Sequence, residues 1–136
     1  MSSHPAEQQP LGISRIDLQQ HDISAPGRQV IQNVVTISTD APAIRHKHPG
    51  GEEIIYVLEG SLEYTVDGQE PTMVNAGEVF FVPADTVHAV RNIGKGDASE
   101  LATYVVEKNK PLLVPADEAP SERSWGDILV ESYLEE

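Results

Sequence analysis

The 136-residue chain has no cysteine and few basic residues, and each shortage excludes something. Without cysteine there can be no disulfide framework, no thiolate metal site and no thiol nucleophile. Nine Lys and Arg stand against 22 Asp and Glu, a formal net charge of −13. Nucleic acid and anionic membrane surfaces are therefore poor partners, because phosphate binding depends on clustered cations. No apolar run approaches the ~18 residues that a membrane-spanning helix needs. The first dozen residues, MSSHPAEQQPLG, have neither a basic patch nor an apolar stretch, so the expectation is a cytoplasmic protein with no signal peptide.

What is present is a middle region of short apolar segments. Residues 1–27 are rich in Gln, Pro and Ser without a sustained period and read as an irregular N-terminal arm, with Ile13, Ile16 and Leu18 as possible anchors. From Arg28 the segment RQVIQNVVTIS is dense in β-branched residues, and short apolar runs then recur between turn signals such as Pro49-Gly50-Gly51, Asn75-Ala76-Gly77 and Pro83-Ala84-Asp85. Strands at that spacing predict an all-β antiparallel barrel or jelly roll over residues 28–110. In Ser61–Asp67 the alternation of Leu62, Tyr64 and Val66 with Glu63 and Thr65 fits a half-buried strand, and Asp67-Gly68 reads as a two-residue hairpin turn. Residues 111–136 form an acidic tail. Trp125, Ile128, Leu129 and Tyr133 fall at helical offsets there, which predicts a short C-terminal helix.

The chemistry concentrates around Asp40–Gly60. His46 and His48 are two apart, so on a strand both imidazoles take one face while Arg45 and Lys47 take the other. A Pro-Gly-Gly turn follows, and Glu53 opens the next strand, where the chain can return beside the histidines. His88 lies in a third β-rich stretch. Three neutral imidazoles and a carboxylate converging in a barrel would hold a divalent transition metal with coordination positions left open. Singly, none of these residues requires a metal: an HxH pair is usually solvated, and a strand carboxylate is usually exposed. His4 and His21, in the arm, receive no role.

Taken together, the residues resemble the cupin superfamily. Its first motif, roughly G-x5-H-x-H-x3–4-E-x6-G, is matched by His46, His48, Glu53 and Gly60. Its second, roughly G-x5-P-x-G-x2-H-x3-N, is matched by Gly77, Pro83, His88 and Asn92. The sixteen residues between Gly60 and Gly77 suit a small single-domain cupin. Asp40 and Asp85 stand where the family usually has glycine. Asp tolerates left-handed backbone better than most residues, so Asp85 is expected at positive φ or capping a tight turn, and its replacement by Gly is expected to be nearly neutral. The resemblance implies a β-barrel with one divalent ion (Fe, Mn, Ni or Zn) on His46, His48, Glu53 and His88, commonly in a homodimer.

Alternation then places Ile44, Ile55, Val57, Tyr64 and Val90 on the inward face as a candidate substrate pocket, with Tyr64 the candidate hydrogen-bond donor or general acid. For each of them plain barrel core is the simpler role. Arg45, Lys47 and Arg91 take the outward parity, which disfavours phosphorylated substrates. The expected activity is metal-dependent chemistry on a small organic molecule, with dioxygenase-type oxygenation or oxidative cleavage ahead of Lewis-acid lyase, isomerase or cyclase chemistry. A non-catalytic, metal-organised ligand-binding module is the remaining alternative. Ile54, Tyr56 and Leu58 necessarily face outward on the Glu53 strand, which predicts a sheet-to-sheet homodimer.

Overall fold

The computed structural model describes residues 11–116, which form ten strands and no helix. These are β1 (Ile13–Asp22), β2 (Arg28–Ile37), β3 (His46–Lys47), β4 (Glu52–Glu59), β5 (Ser61–Val66), β6 (Thr72–Asn75), β7 (Val79–Val82), β8 (His88–Asn92), β9 (Ala98–Glu107) and β10 (Val114–Pro115). They build two five-stranded sheets, ordered β1-β2-β9-β4-β7 and β10-β3-β8-β5-β6, with antiparallel pairing throughout. The all-β barrel expected from the turn spacing is the fold observed. The C-terminal helix expected around Trp125 lies outside the described residues.

Strand alternation determines what fills the barrel. On β4, Glu53, Ile55 and Val57 are buried, while Ile54, Tyr56 and Leu58 are exposed. On β5, Leu62, Tyr64 and Val66 are buried. Together with Ile37, Val74, Val82 and Ala98, most of these residues form the main core cluster, and Ala102, Tyr104, Val106 and Leu112 form a second one.

Three local expectations are corrected. Residues 13–22 are not an irregular arm but an edge strand in register with β2, from Ile13↔Ile37 to Asp22↔Gln29. Its sequence conceals this because the register shifts between Asp17 and Gln19, which breaks the two-residue period, and because inward positions carry Arg15 and Asp17. Ile16 and Leu18 are exposed and anchor nothing, so backbone pairing holds the strand. At the other end, Leu112 and Leu113 are buried and β10 pairs with β3, so the barrel continues into the segment read as tail. Finally, Asp67-Gly68 does centre a turn, closed by the Gln69 N–H donating to the Val66 carbonyl at 2.9 Å with Gly68 at φ 86°. Pairing between β5 and β6 nevertheless begins only at Tyr64↔Thr72, since Pro71 has no N–H to extend the ladder.

The two motif glycines replaced by Asp behave differently. Asp85 is the one non-glycine residue at positive φ (58°) among the described residues, as expected, whereas Asp40 has ordinary backbone. The Asp85 carboxylate also accepts the Gly50 N–H at 2.9 Å, tying the turn before His88 to the turn after His48. That bond revises the expected neutrality of a glycine there, which would relieve φ but lose the acceptor. The family-matching Asn92 clamps the far end of β8: its amide donates to the Ile37 and Gly96 carbonyls, both at 2.8 Å, and its oxygen accepts from the Gly94 N–H. Asp85→Asn, which keeps both the left-handed tolerance and the acceptor, is expected to stay within about 0.5 kcal/mol of the parent. Asp85→Val, which loses both, is expected to lose about 2–3 kcal/mol. Urea unfolding midpoints at constant slope check both values.

Candidate metal centre

Three strands and one returning loop bring the histidines together. His46 on β3 pairs directly with His88 on β8. His48 follows two residues after His46, at the start of the turn closed by the Gly51 N–H on its own carbonyl. The ring centroids lie 4.3 Å apart for His46 and His88, 5.0 Å for His48 and His88, and 5.1 Å for His46 and His48. One nitrogen from each of the three lies within 4.8 Å of the other two, which makes a triad able to hold a metal ion. Glu53 reaches the same point from β4: its Oε1 is 3.0 Å from His48 Nε2 and 3.3 Å from His88 Nε2. Donors adjacent on a coordination sphere with bond lengths of about 2.1 Å are about 3 Å apart, so these separations fit one ion.

The protonation of the rings is fixed from behind. His46 Nδ1 lies 2.8 Å from the Ile44 carbonyl, His88 Nδ1 2.9 Å from Thr86, and His48 Nδ1 2.8 Å from Leu112. A carbonyl oxygen only accepts, so every Nδ1 must carry its hydrogen and donate it. The Nε2 lone pairs are thereby turned to the centre, the orientation that metal-ligating histidines take from such outer contacts. Facing Nε2 of His48 and His88 is a carboxylate oxygen, itself an acceptor, and His88 Nε2 is buried without a hydrogen-bond partner. A proton or a metal ion must occupy that position.

Electrostatics agree. Burial and the two neighbouring imidazoles lower the His46 pKa to about 3, so its ring is neutral and available for coordination across the ordinary pH range. Burial alone would raise Glu53, but the facing His48 and His88 rings outweigh it and hold the carboxyl well below its usual range.

The other anticipated pocket residues divide. Ile55, Val57 and Tyr64 are fully buried in the main core cluster, Val90 packs against it half-buried, and Ile44 is half-buried with its carbonyl serving His46. Arg45 and Arg91 do point outward, to Asp67 and Glu63. Two contributors escaped the sequence reading. The Leu112 carbonyl is invisible to any residue-type argument. Glu100 was legible: in Ala98–Glu107 it shares parity with Ala98, Ala102, Tyr104 and Val106, so it had to be buried. It is 3% exposed and accepts the Tyr64 hydroxyl at 2.6 Å. Burial and the charge of Glu53 push its pKa up to about 8, against the lowering effect of the Tyr64 hydrogen bond. Burial, followed by the Glu100 and Glu53 charges, drives the Tyr64 hydroxyl well above 10.

Known proteins resemble this chain in sequence and fold. A family profile described as "Cupin domain" matches residues 33–104, more than half of the chain. The chain belongs to the cupin family. This cupin is 38% identical over 77 residues to the polyketide synthase CurC of Streptomyces cyaneus, covering 56% of the chain and 49% of that protein. It is 34% identical over 77 residues to quercetin 2,3-dioxygenase of Bacillus subtilis, covering 54% of the chain and 23% of the dioxygenase. The chain thus matches less than half the length of these relatives. Among solved structures, an oxalate oxidase in complex with the substrate analogue glycolate superposes with a TM-score of 0.63 at 24% identity, covering 84% of this chain and 60% of the oxidase. That likeness establishes the fold.

Two outcomes are expected of the site. A metal ion would take the position facing Glu53 that a proton otherwise fills, so affinity for a divalent ion should fall as pH is lowered, and calorimetric heats should depend on the buffer's ionisation enthalpy. Glu53→Ala should weaken binding at least tenfold in the same titration. Separately, the raised pKa of Glu100 makes its contribution to stability complete below the ordinary carboxyl range and lost as pH rises through about 8. Glu100→Gln should therefore flatten the decline in melting temperature between about pH 5 and 8 and leave the variant more stable than the parent above it.

Proposed function

We propose that this cupin is a metal-dependent enzyme that binds one divalent transition ion through His46, His48, Glu53 and His88 and acts on a small organic oxygen ligand, by dioxygenase-type chemistry. The observation that carries the reading is the set of three imidazoles locked by backbone carbonyls with their free nitrogens clustered, two of them within 3.3 Å of one carboxylate oxygen. A scaffold without a bound cation would have no use for that arrangement. When bound, a redox-active ion on such ligands supplies electrons and open positions for dioxygen and a chelating substrate. The match to a quercetin 2,3-dioxygenase favours small-molecule oxygen chemistry over a purely structural barrel. The chain's own residues would shape the rest: Ile44 and Val90 line the approach, Ile55 and Val57 keep the interior dry, and Tyr64 offers a hydroxyl to the substrate.

The test is oxygen uptake by protein loaded separately with Fe(II), Mn(II), Ni(II) or Zn(II), against a panel of diketones, flavonols and catechols. Metal-dependent uptake is expected with a redox-active ion and is expected to be abolished in His88→Ala. Turnover without oxygen consumption would assign Lewis-acid chemistry instead. Ligand binding without turnover across the panel would favour a non-catalytic module.

The same reading includes a homodimer. On the outer face of β4 and β7, Ile54 lies opposite Phe81 and Tyr56 opposite Val79, and with Leu58 these form one apolar strip whose members are 43–68% exposed. β7 is an edge strand of its sheet. An apolar strip continuous with an open edge is suited to covering by a second copy of itself. Light scattering should give a mass of twice 14.8 kDa. Phe81→Glu should shift it toward the monomer.

A further inference from the structure

The barrel interior beside the histidine cluster holds an ionisable pair that metal ligation leaves unused. Strand β9 carries Glu100 between two alanines, Ala98 and Ala102, both fully buried. The small side chains leave room for a carboxyl, and Val35 and Val57, its register partners on β2 and β4, give it no polar contact. Opposite, Tyr64 on β5 donates its hydroxyl to Glu100 Oε1 at 2.6 Å. The Tyr64 ring is held by stacking on Phe80 at 4.8 Å and lies nearly parallel to the ring of His88 at 6.4 Å, so the phenol that bonds Glu100 belongs to a ring lying beside the histidine cluster. A core needs no such pair, since a buried carboxyl is generally less favourable than an apolar side chain of similar volume.

We propose that Glu100 is the proton acceptor for the metal site, acting through Tyr64: a hydroxyl of the metal-bound ligand passes its proton to the Tyr64 oxygen as the Tyr64 proton passes to Glu100 Oε1. The step rests on the reading above that an oxygen ligand binds the metal. Its balance is simple. The ligand's O–H bond and the phenol's O–H bond break, two new O–H bonds form, the ligand gains one negative charge, Glu100 loses one, and Tyr64 is unchanged.

Geometry fixes the direction. The phenol already donates toward Glu100, at the short distance typical of O–H to carboxylate bonds. Tyr64 cannot be the terminal base, because burial and the surrounding carboxylates oppose a phenolate there. Glu100 can be in its ionised form, which is populated as pH approaches about 8, where its affinity for a proton matches that of mildly acidic metal-bound hydroxyls. The charged and titratable groups bearing on it are Tyr64 on β5 and Glu53 on β4, with Tyr104 further along β9. Across Val35 on the same face lies Arg15 of β1, 3.5 Å from Asp17. The substrate class follows. The relay serves a ligand that arrives with a proton on oxygen, such as a catechol, an enediol or a hydroxyflavone. A dicarboxylate at neutral pH has no such proton to give and would meet the negative charge of Glu53.

The experiment uses 4-nitrocatechol, whose visible spectrum distinguishes its singly and doubly ionised forms, added anaerobically to Fe(II)-loaded protein. Glu100→Gln and Tyr64→Phe are compared with the parent, with Fe(II) affinity measured in parallel. In the parent, the probe should bind with its second ionisation displaced to lower pH. In either variant that ionisation should move up by about one pH unit or more while Fe(II) affinity stays within about twofold, and the double variant should add nothing further. Probe binding with an ionisation unchanged in both single variants would overturn the relay and leave the metal-site reading standing. No probe binding to the Fe(II)-loaded parent, or equal binding without iron, would overturn both. Should Glu100→Gln fail to fold, Tyr64→Phe decides the question by the same criterion.

Discussion

Everything around the candidate centre depends on one constraint: three imidazoles have their outer nitrogens committed to backbone carbonyls. Once Ile44, Thr86 and Leu112 accept those hydrogens, the inner nitrogens can only present lone pairs or take a proton, and they do so beside a carboxylate. In a low-dielectric interior that arrangement is unfavourable until a cation sits within it. The fold therefore holds these four side chains in advance, and their ordering entropy is spent in folding and would not be spent again on a bound ion.

The supports of this constraint come from distant parts of the chain. The Asp85 carboxylate ties the turn before His88 to the turn after His48, and Asn92 fixes the other end of the same strand. Leu112 belongs to a segment that returns after β9 and adds β10 beside His46. A substitution far from the ligands can thus rotate an imidazole without touching it. The Tyr64–Glu100 pair is placed differently, by core stacking on one side and by the gap between two alanines on the other.

How much of this was legible in the sequence follows from what each feature depends on. The convergence of His46, His48, Glu53 and His88 was legible because strand parity and turn spacing agree with the resemblance to both cupin motifs. Asp85 at positive φ was legible because few residue types tolerate that conformation, although the bond from its side chain to Gly50 was not. Strand β1 was missed because a bulge at Leu18 breaks its alternation and because edge pairing is a backbone interaction that polar residues serve as well as apolar ones. Glu100 was overlooked although its parity exposed it, since a carboxylate in a β-rich segment is ordinarily solvated. The Leu112 carbonyl carried no signal, because every residue has one.

Strand order has a kinetic consequence. β9 lies between β2 and β4 and pairs with both along nearly its whole length. During synthesis all four metal-ligating candidates leave the ribosome before β9 does, yet the sheet that carries Glu53 cannot join the one begun by β2 until β9 arrives. Closure of the barrel is thus a late, long-range event, of the kind that makes β-sandwich folding slow. Until then β2 and β4 each present an unsatisfied edge, and the histidines, lacking the Leu112 carbonyl, remain an ungoverned cluster able to capture whatever ion is at hand.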